Sequence, residues 1–206
     1  MSDRDYRMSF TSGGLFTQES VVLTKLFMEH KDWVKVRAYV LKNNTLQTRT
    51  RTASVRLVRE MIERLKTLSN QQLDLLLNGS RAEQGQILWW ACCCYYDFVK
   101  EFAVEVVREK FLRFDYLLTF EDFDQFFDKK ALWSPKLDDL TELTRKKNRS
   151  VLFNMLEEVD ILNKQKIIQP VLISDVFIKT MGRVNLEAFH IFPITEAEIN
   201  RRVGHG

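Results

Sequence analysis

Residues 69–83 read SNQQLDLLLNGSRAE and contain two helix starts of the same kind. In each, a serine is followed three residues later by an amide or an acid: Ser69 by Gln72, and Ser80 by Glu83. This spacing is typical of the capping box, in which two side chains and two backbone N–H groups bond reciprocally. The stretch therefore predicts that one short helix ends near residue 78 and that another begins near residue 81.

Similar signals recur along the chain. They are Thr119 with Asp122, Thr195 with Glu198, and Ser134 before Pro135, a residue suited to the first helical position. Together with the apolar spacing, they predict helices over residues 17–30, 32–43, 49–68, 70–78, 81–113, 120–130, 135–141 and 145–159. Only seven glycines and three prolines occur among 206 residues, well below average usage. This scarcity favours long helices with short joints over sandwiches and barrels.

The pattern changes after residue 159. Two apolar pieces, 161–162 and 167–168, flank a polar turn and end before Pro170, which predicts a small β-hairpin. Three helices followed by a hairpin are in the order of a winged helix-turn-helix. The sequence thus predicts a mainly α protein of two packed helical units: an N-terminal multi-helix bundle over residues 1–116, and a C-terminal winged helix-turn-helix-like unit over residues 117–206 with a short β-hairpin wing.

Charge is distributed in blocks, although the formal net charge is only +3. Residues 35–66 contain nine basic and two acidic side chains, and residues 97–142 contain seven basic and twelve acidic ones. Residues 145–149 then add four basic side chains. A uniformly basic coat is therefore excluded, whereas two local basic patches are predicted.

The first basic block lies on a predicted amphipathic helix. At 100° per residue its apolar residues share one arc, and Arg56 and Arg59 lie on the opposite one. A solvated face with the i,i+4 pairs Arg56–Glu60 and Arg59–Glu63 is the alternative interpretation.

Both basic blocks place cations at predicted helix starts. Arg49 and Arg51 begin the first helix, and residues 145–147 begin the second, for which Thr144 is the predicted cap. Cations at this end of a helix oppose its dipole, at about 0.3 to 1 kcal/mol each. Because free N–H groups, the dipole and cations all attract phosphate, both starts predict contact with a polyanion.

Aromatic and cysteine side chains are predicted to be structural. Trp89, Trp90, Tyr95 and Tyr96 have the residue types of a base-stacking platform, but their helical spacing within an apolar run favours the core. Phe120, Phe123, Phe126 and Phe127 are predicted as the core of the second unit. The adjacent Cys92, Cys93 and Cys94 are interpreted as small buried apolar residues in a reducing compartment.

No catalytic pattern is present in the sequence. The three histidines are isolated, and GxSxG, GxxxxGK[ST] and GxGxxG are absent. The glycines of Thr11-Ser12-Gly13-Gly14 favour a turn over a phosphate loop, and Glu121, Asp122 and Asp124 favour capping over metal binding. We therefore expect that the chain is not an enzyme. We also expect no cofactor, no metal site and no small-molecule substrate.

The chain is expected to be cytoplasmic. Its longest apolar run, residues 87–96, is shorter than the roughly 18 to 20 residues of a membrane span. Residues 1–5 lack the apolar core of a signal peptide, so we expect no membrane association.

Several segments resemble the BrxA family, the small helical component of BREX bacteriophage-defence systems. They are residues 8–15 (MSFTSGGL), 64–69 (RLKTLS), 101–106 (EFAVEV), 118–123 (LTFEDF), and 143–147 (LTRKK) followed by 151–153 (VLF). The resemblance implies a non-enzymatic DNA-binding accessory protein of helix-turn-helix and winged-helix character, working beside larger methyltransferase and ATPase subunits. The family is also likened to the RNA-binding antitermination protein NusB, so the N-terminal bundle is expected to be NusB-like or helix-turn-helix.

We therefore expect the chain to hold double-stranded DNA, mainly through phosphate contacts. The candidate nucleic-acid-binding residues are Lys35, Arg37, Arg49, Arg51, Arg56, Arg59, Arg145, Lys146, Lys147 and Arg149, with Lys164 and Lys166 on the wing. Two alternatives stay open at this point. One is a scaffold that joins other BREX subunits through protein contacts, and the other is RNA binding through the N-terminal helices.

Overall fold

The protein is mainly helical in a computed structural model that describes residues 5–10, 13–182 and 185–203. Its contacts divide the chain into two units. The central unit is Leu15–Tyr95, and the composite unit is Tyr96–Gly206 with Met1–Gly14. The boundary expected between residues 116 and 117 lies inside the composite unit. No helix in the described part of the chain is long and apolar enough to cross a membrane.

The central unit, whose residues are all described, contains five α-helices. These are α1 (Thr17–His30), α2 (Trp33–Asn43), α3 (Arg51–Leu65), α4 (Asn70–Asn78) and α5 (Arg81–Tyr95). The capping box of Ser69 and Gln72 starts α4. At the start of α5, the Glu83 N–H donates to Ser80 Oγ and the Ser80 N–H donates to Glu83 Oε2. Both helix starts predicted from residues 69–83 are therefore confirmed.

Helix α5 is the core of the central unit. It contacts α3 and α4, and all of its residues from Gly85 to Cys93 are buried, Trp89 completely. The assignment of the tryptophans to the core is thus confirmed. Cys92 and Cys93 are buried as expected, but Cys94 is exposed, because it falls on the remaining outer face at the end of the helix.

A break at Tyr96 divides the helix predicted over residues 81–113. Tyr96 has extended backbone angles (φ −120°, ψ 100°), and its buried ring packs edge-on against Phe10, with 5.2 Å between ring centroids. Helical structure resumes in α6 (Asp97–Phe102), continues through a π-helical segment (Ala103–Arg108) and ends in α7 (Glu109–Leu112). The continuous helix was a wrong prediction, because neither glycine nor proline marks a break that is made by packing.

The described part of the composite unit continues with further helices. They are α8 (Phe120–Ala131), α9 (Pro135–Asp138), α10 (Glu142–Glu158), α11 (Asp175–Met181), a 3-10 helix (Leu186–Ile191) and α12 (Glu196–Val203). Phe98 of α6 lies against Phe123, Phe126 and Phe127 of α8, with ring centroids 5.2 to 5.9 Å apart. Three of the four phenylalanines predicted for this core are therefore buried. Phe120 at the first turn of α8 is 47% exposed, so its assignment to the core was wrong.

The predicted β-hairpin wing is wrong. The described residues contain no β-strand, only two isolated antiparallel bridges, Leu162 with Ile168 and Leu117 with Ile167. The Asn163 side chain accepts hydrogen bonds from the N–H groups of Gln165 and Ile167. This Asx-type turn closes the segment within a few residues, and the second apolar piece pairs partly with the chain before α8, so no regular hairpin forms.

Helix α10 starts earlier than expected. Thr141, not Thr144, is its cap, and Thr141 Oγ1 accepts a hydrogen bond 3.3 Å long from the Thr144 N–H. Arg145 therefore lies in the second turn rather than at the first position. Of the glycine-containing turn, Thr11 and Ser12 lie outside the described residues, and Gly13 has a φ of 67° and accepts a bond from Asn154 Nδ2.

Candidate nucleic-acid interface

Helix α3 has one exposed basic face. Thr52, Arg56 and Arg59 lie on it, opposite the buried Val58 and Leu65. The arcs predicted from the sequence are therefore those of the folded helix. We call the exposed cations of this helix and of the residue before its cap the α3 basic face: Arg49, Arg51, Arg56 and Arg59.

The start of α3 concentrates positive charge. Thr50 caps the helix, its Oγ1 accepting a 3.2 Å hydrogen bond from the Ala53 N–H. Arg51 occupies the first helical position, and the first turn contains no acidic residue. Dipole and side-chain charge thus have the same sign here, which favours an anionic ligand.

The two acidic residues of α3, Glu60 and Glu63, each form an ion pair near the end of the helix. Glu60 forms a buried ion pair with Arg64, and Glu63 contacts Lys66 at 2.6 Å. Arg59 therefore lacks the pair with Glu63 that the alternative interpretation, a solvated face, predicts. Among the residues that the structure describes, the side chains of Arg49, Arg51 and Arg59 have no ion pair, hydrogen bond or ring contact.

Helix α2 and the linker to α3 extend the exposed charge. Lys35 and Arg37 are exposed on α2, which packs against α3. The linker is ordered by Asn44, whose side-chain oxygen accepts from the Thr48 N–H at 3.2 Å. Arg49 therefore follows a turn that is closed by a hydrogen bond.

Two of the four cations in the second predicted cluster, Arg145 and Arg149, form ion pairs within the fold. Arg145 of α10 donates to Asp124 (3.1 Å) and Asp128 (2.6 Å) of α8, and Arg149 bonds the other oxygen of Asp124. Each guanidinium also stacks on a ring of α8: Arg145 lies 4.6 Å from the centroid of Phe127, and Arg149 lies 4.5 Å from that of Phe120. These two arginines hold α10 against α8.

Electrostatics agree with this structural role. Burial lowers the pKa of Arg145, but the hydrogen bonds to Asp128 and Asp124 outweigh it, so the net pKa is raised. Of the remaining cations, Lys146 contacts Glu142 at 3.3 Å, and Lys147 is exposed with no partner among the described residues. At most these two lysines remain open to a ligand on α10.

The two lysines that were predicted for the wing, Lys164 and Lys166, contact the same carboxylate. Lys166 bonds Glu157 of α10, and Lys164 contacts the same carboxylate at 3.3 Å. The hydrogen bond from Lys166, assisted by the one from Lys164, holds the pKa of Glu157 below its ordinary value, against the effect of burial. Lys166 also lies 5.7 Å from the ring centroid of Phe153.

The sequence contained an unused signal for this network. Asp124 and Asp128 are four residues apart on α8, and Arg145 and Arg149 are four residues apart on α10. Matching i,i+4 spacings of opposite charge on two helices allow one helix face to neutralise the other. The structure therefore places the predicted site residues in different roles: those of α3 are exposed, whereas on α10 Arg145 and Arg149 are paired within the fold and only Lys146 and Lys147 are exposed.

Comparison with known proteins identifies the family. A sequence profile of the BrxA family, described as BrxA, matches residues 4–184. The chain belongs to the BrxA family. This BrxA-family chain is 24% identical over 200 residues to a BREX protein BrxA of Escherichia coli O9:H4 (strain HS), covering 97% of the chain and 86% of the relative. It is 27% identical over 147 residues to a BREX protein BrxA of Bacillus cereus (strain H3081.97), covering 71% and 72%.

A solved structure has a similar fold. The crystal structure of an uncharacterized protein from Magnetospirillum magneticum matches this BrxA-family chain with a TM-score of 0.76 and 22% identity. The match covers 92% of the chain and 98% of that protein. At this identity the likeness concerns the fold alone. The profile match over residues 4–184, not this fold, confirms the family resemblance expected from the sequence.

Proposed function

We propose that this BrxA-family protein is a non-enzymatic DNA-binding component of a BREX system and that the α3 basic face is its main contact with duplex DNA. The observation that carries the proposal is the start of α3. Arg49 and Arg51 have no internal partner among the described residues, and they lie where the helix dipole already disfavours cations. Cations at a helix start do not stabilise the fold, but they favour binding of a phosphate backbone.

The contacts should be mainly to phosphate. Arginine and lysine at a helix start position a duplex without reading its bases. We therefore expect weak sequence preference and a log affinity that falls with log salt by about 0.9 per phosphate neutralised. Lys35 and Arg37 would extend the same contact, while Lys146 and Lys147 would make a smaller one.

A titration with matched double variants tests the proposal. Arg51→Glu with Arg59→Glu reverses two charges on the α3 basic face, and Lys146→Glu with Lys147→Glu makes the same charge change on α10. We expect duplex affinity to fall about a hundredfold in the first variant and less than about tenfold in the second, because each lost phosphate contact reduces counterion release. Equal affinities of the two variants would refute the assignment to α3.

The ligand is tested with the wild-type chain at two salt concentrations. Duplex DNA, single-stranded DNA and structured RNA are compared by gel shift. Tighter binding of structured RNA would support the NusB-like alternative. Absence of binding to all three at low salt would refute nucleic-acid binding and leave the scaffold role, in which the basic face contacts an acidic protein surface.

A further inference from the structure

The segment that joins α7 to α8 exposes an unusual amount of apolar surface. Phe114 is 79% exposed, Leu117 is 49% exposed, and Tyr116 and Phe120 beside them are also exposed. Phe114 and Tyr116 contact each other edge to face, with ring centroids 6.3 Å apart. Exposed aromatics grouped in this way are typical of surfaces that bind a partner.

Phe114 is unfavourable for the isolated chain. Its φ of 62° is in the left-handed region, at the position after α7 where glycine or asparagine is preferred. Its N–H donates to Phe111 O at 3.1 Å, and the next N–H, of Asp115, donates to Lys110 O at 3.0 Å. This cap needs no aromatic side chain, and the exposed ring buries little surface in return. Local folding therefore does not account for a phenylalanine here.

The same segment forms the isolated bridge with Ile167 and leaves its other backbone edge open. The Leu118 N–H donates to Lys166 O (2.9 Å) and the Ile168 N–H donates to Tyr116 O (2.7 Å). Because alternate residues of an extended strand direct their N–H and C=O groups to opposite edges, the two groups of Leu117 point away from this bridge. Neither group has a hydrogen-bond partner among the described residues. We call residues 115–119 the Leu117 edge.

The cations around the Leu117 edge are already paired with acidic side chains. Lys110 contacts Asp115 at 2.6 Å and Asp122 at 3.2 Å. Lys166 is bonded to Glu157, and Arg149 to Asp124. A polyanion therefore gains little here. A complementary ligand is a segment of low net charge.

We propose that the Leu117 edge binds an extended, apolar segment of a partner protein, which adds as a β-strand. The Leu117 N–H and C=O would form main-chain hydrogen bonds with the segment, and its alternate apolar side chains would pack on Phe114, Tyr116 and Phe120. This mode of recognition gives affinity through the backbone and selectivity through the side chains. The Leu117 edge shares no residue with the α3 basic face, and peptide binding there does not require DNA.

The shape of the edge favours a single strand over a second copy of the chain. The Leu117 edge is short, with α7 ending at Leu112 and α8 beginning at Phe120. A second copy would bring its own α7 and α8 to the same edge, whereas a peptide brings only a backbone. We therefore expect that the purified chain does not dimerise through the Leu117 edge.

A display selection tests the proposal. Random nine-residue peptides are selected on the full-length wild-type chain, and the binders are measured as synthetic peptides. Leu117→Pro removes the outward N–H while leaving the inward hydrogen bonds of Tyr116 and Leu118 possible, and Leu117→Ala is the control that retains the N–H. We expect peptides of alternating apolar pattern whose affinity falls about tenfold with proline and less with alanine, since a main-chain hydrogen bond is lost.

Three further measurements keep the test independent of folding defects in the proline variant. Hydrogen exchange should show protection of the Leu117 amide when the peptide binds, and N-methylation of alternate peptide amides should abolish binding. Phe114→Asn suits the left-handed backbone, so we expect unfolding at the same or a higher temperature together with weaker peptide binding.

Several results would overturn the proposal. They are a selection with no enrichment over the Leu117→Pro background, binders that leave the Leu117 amide unprotected, and protection that appears without peptide as the chain self-associates. Binding of a single-stranded oligothymidylate that depends on Phe114 would assign the surface to nucleic acid instead. If the variant with Arg51→Glu and Arg59→Glu fails to bind duplex DNA, its peptide binding should be unchanged, because that variant keeps the Leu117 edge. The DNA-binding proposal and the peptide-binding proposal can therefore fail independently.

Discussion

Helices α3 and α10 carry similar basic clusters but use them differently. On α3, Arg51 and Arg59 have no partner among the described residues. On α10, Arg145 and Arg149 are held by Asp124 and stack on phenylalanine rings of α8. A charged cluster is thus open to a ligand only when no neighbouring element of the fold supplies the opposite charge.

The difference changes what a helix start means. Arg51 lies at the first position of α3, where it opposes the helix dipole. Arg145 lies one turn inside α10, since Thr141 is the cap, so the same argument does not apply to it. Of the two anion sites expected from the sequence, only the one on α3 retains its physical basis.

The largest expected effect is on the α10 side of the comparison. Asp124→Ala leaves the guanidinium of Arg149 without its carboxylate and removes one of two from Arg145, so we expect a loss of about 2 to 3 kcal/mol in the free energy of unfolding. Urea denaturation measures it. Asp128→Ala, which removes a more exposed carboxylate, is the matched control and should cost less than about 1 kcal/mol. Equal losses would show that Asp124 is not the anchor.

The next effect distinguishes the two helices by function. Arg59→Gln should leave the free energy of unfolding within about 0.5 kcal/mol, because the side chain has no internal partner to lose. Its duplex affinity should fall severalfold, and the salt slope should decrease by about 0.9. Arg145→Gln is the comparison variant, for which we expect the reverse: lower stability with little change in salt slope. Destabilisation by Arg59→Gln would contradict the proposed division of roles.

The acid dependence of stability tests the lysines at the predicted wing. Because the folded pKa of Glu157 is lowered from its ordinary value of 4.5, its stabilising contribution is present above pH 4.5 and is lost as pH falls through the folded pKa. Glu157→Gln should therefore be less stable than wild type at neutral pH, and the difference should shrink in acid. Thermal unfolding across this range measures it. A difference between Glu157→Gln and wild type that stays constant from neutral to acidic pH would contradict this role of Glu157.

The smallest expected effect concerns the helix dipole alone. Arg51→Glu places an acid at the first position of α3 and should raise the free energy of unfolding by about 0.5 kcal/mol. The same variant should bind duplex DNA more weakly. A residue that is selected for stability would show a loss of stability instead, so chemical denaturation and a duplex titration of one protein sample decide between the two interpretations.

Sequence patterns predicted the local structure well where the deciding interactions are local. The capping boxes at Ser69 and Ser80 place their helices correctly, because both partners lie within one turn. The break at Tyr96 was missed, because it depends on packing against Phe10, which is 86 residues away in the sequence. The absence of the wing has a similar origin, since Ile167 pairs with Leu117 from a distant part of the chain.

By itself, the sequence determined the helical class, the capped starts of α4 and α5, the basic arc of α3 and the family, since each depends on residue types at short spacing. Only the tertiary structure decided which charges remain available. The same arginine is a ligand-binding residue in water and a structural residue beside a carboxylate, because pairing with a fixed partner replaces the hydration that a free guanidinium keeps. Whether Asp124 would meet Arg145 and Arg149 depended on how α8 packs on α10, because the matching i,i+4 spacings permit the network but do not bring the two helices together.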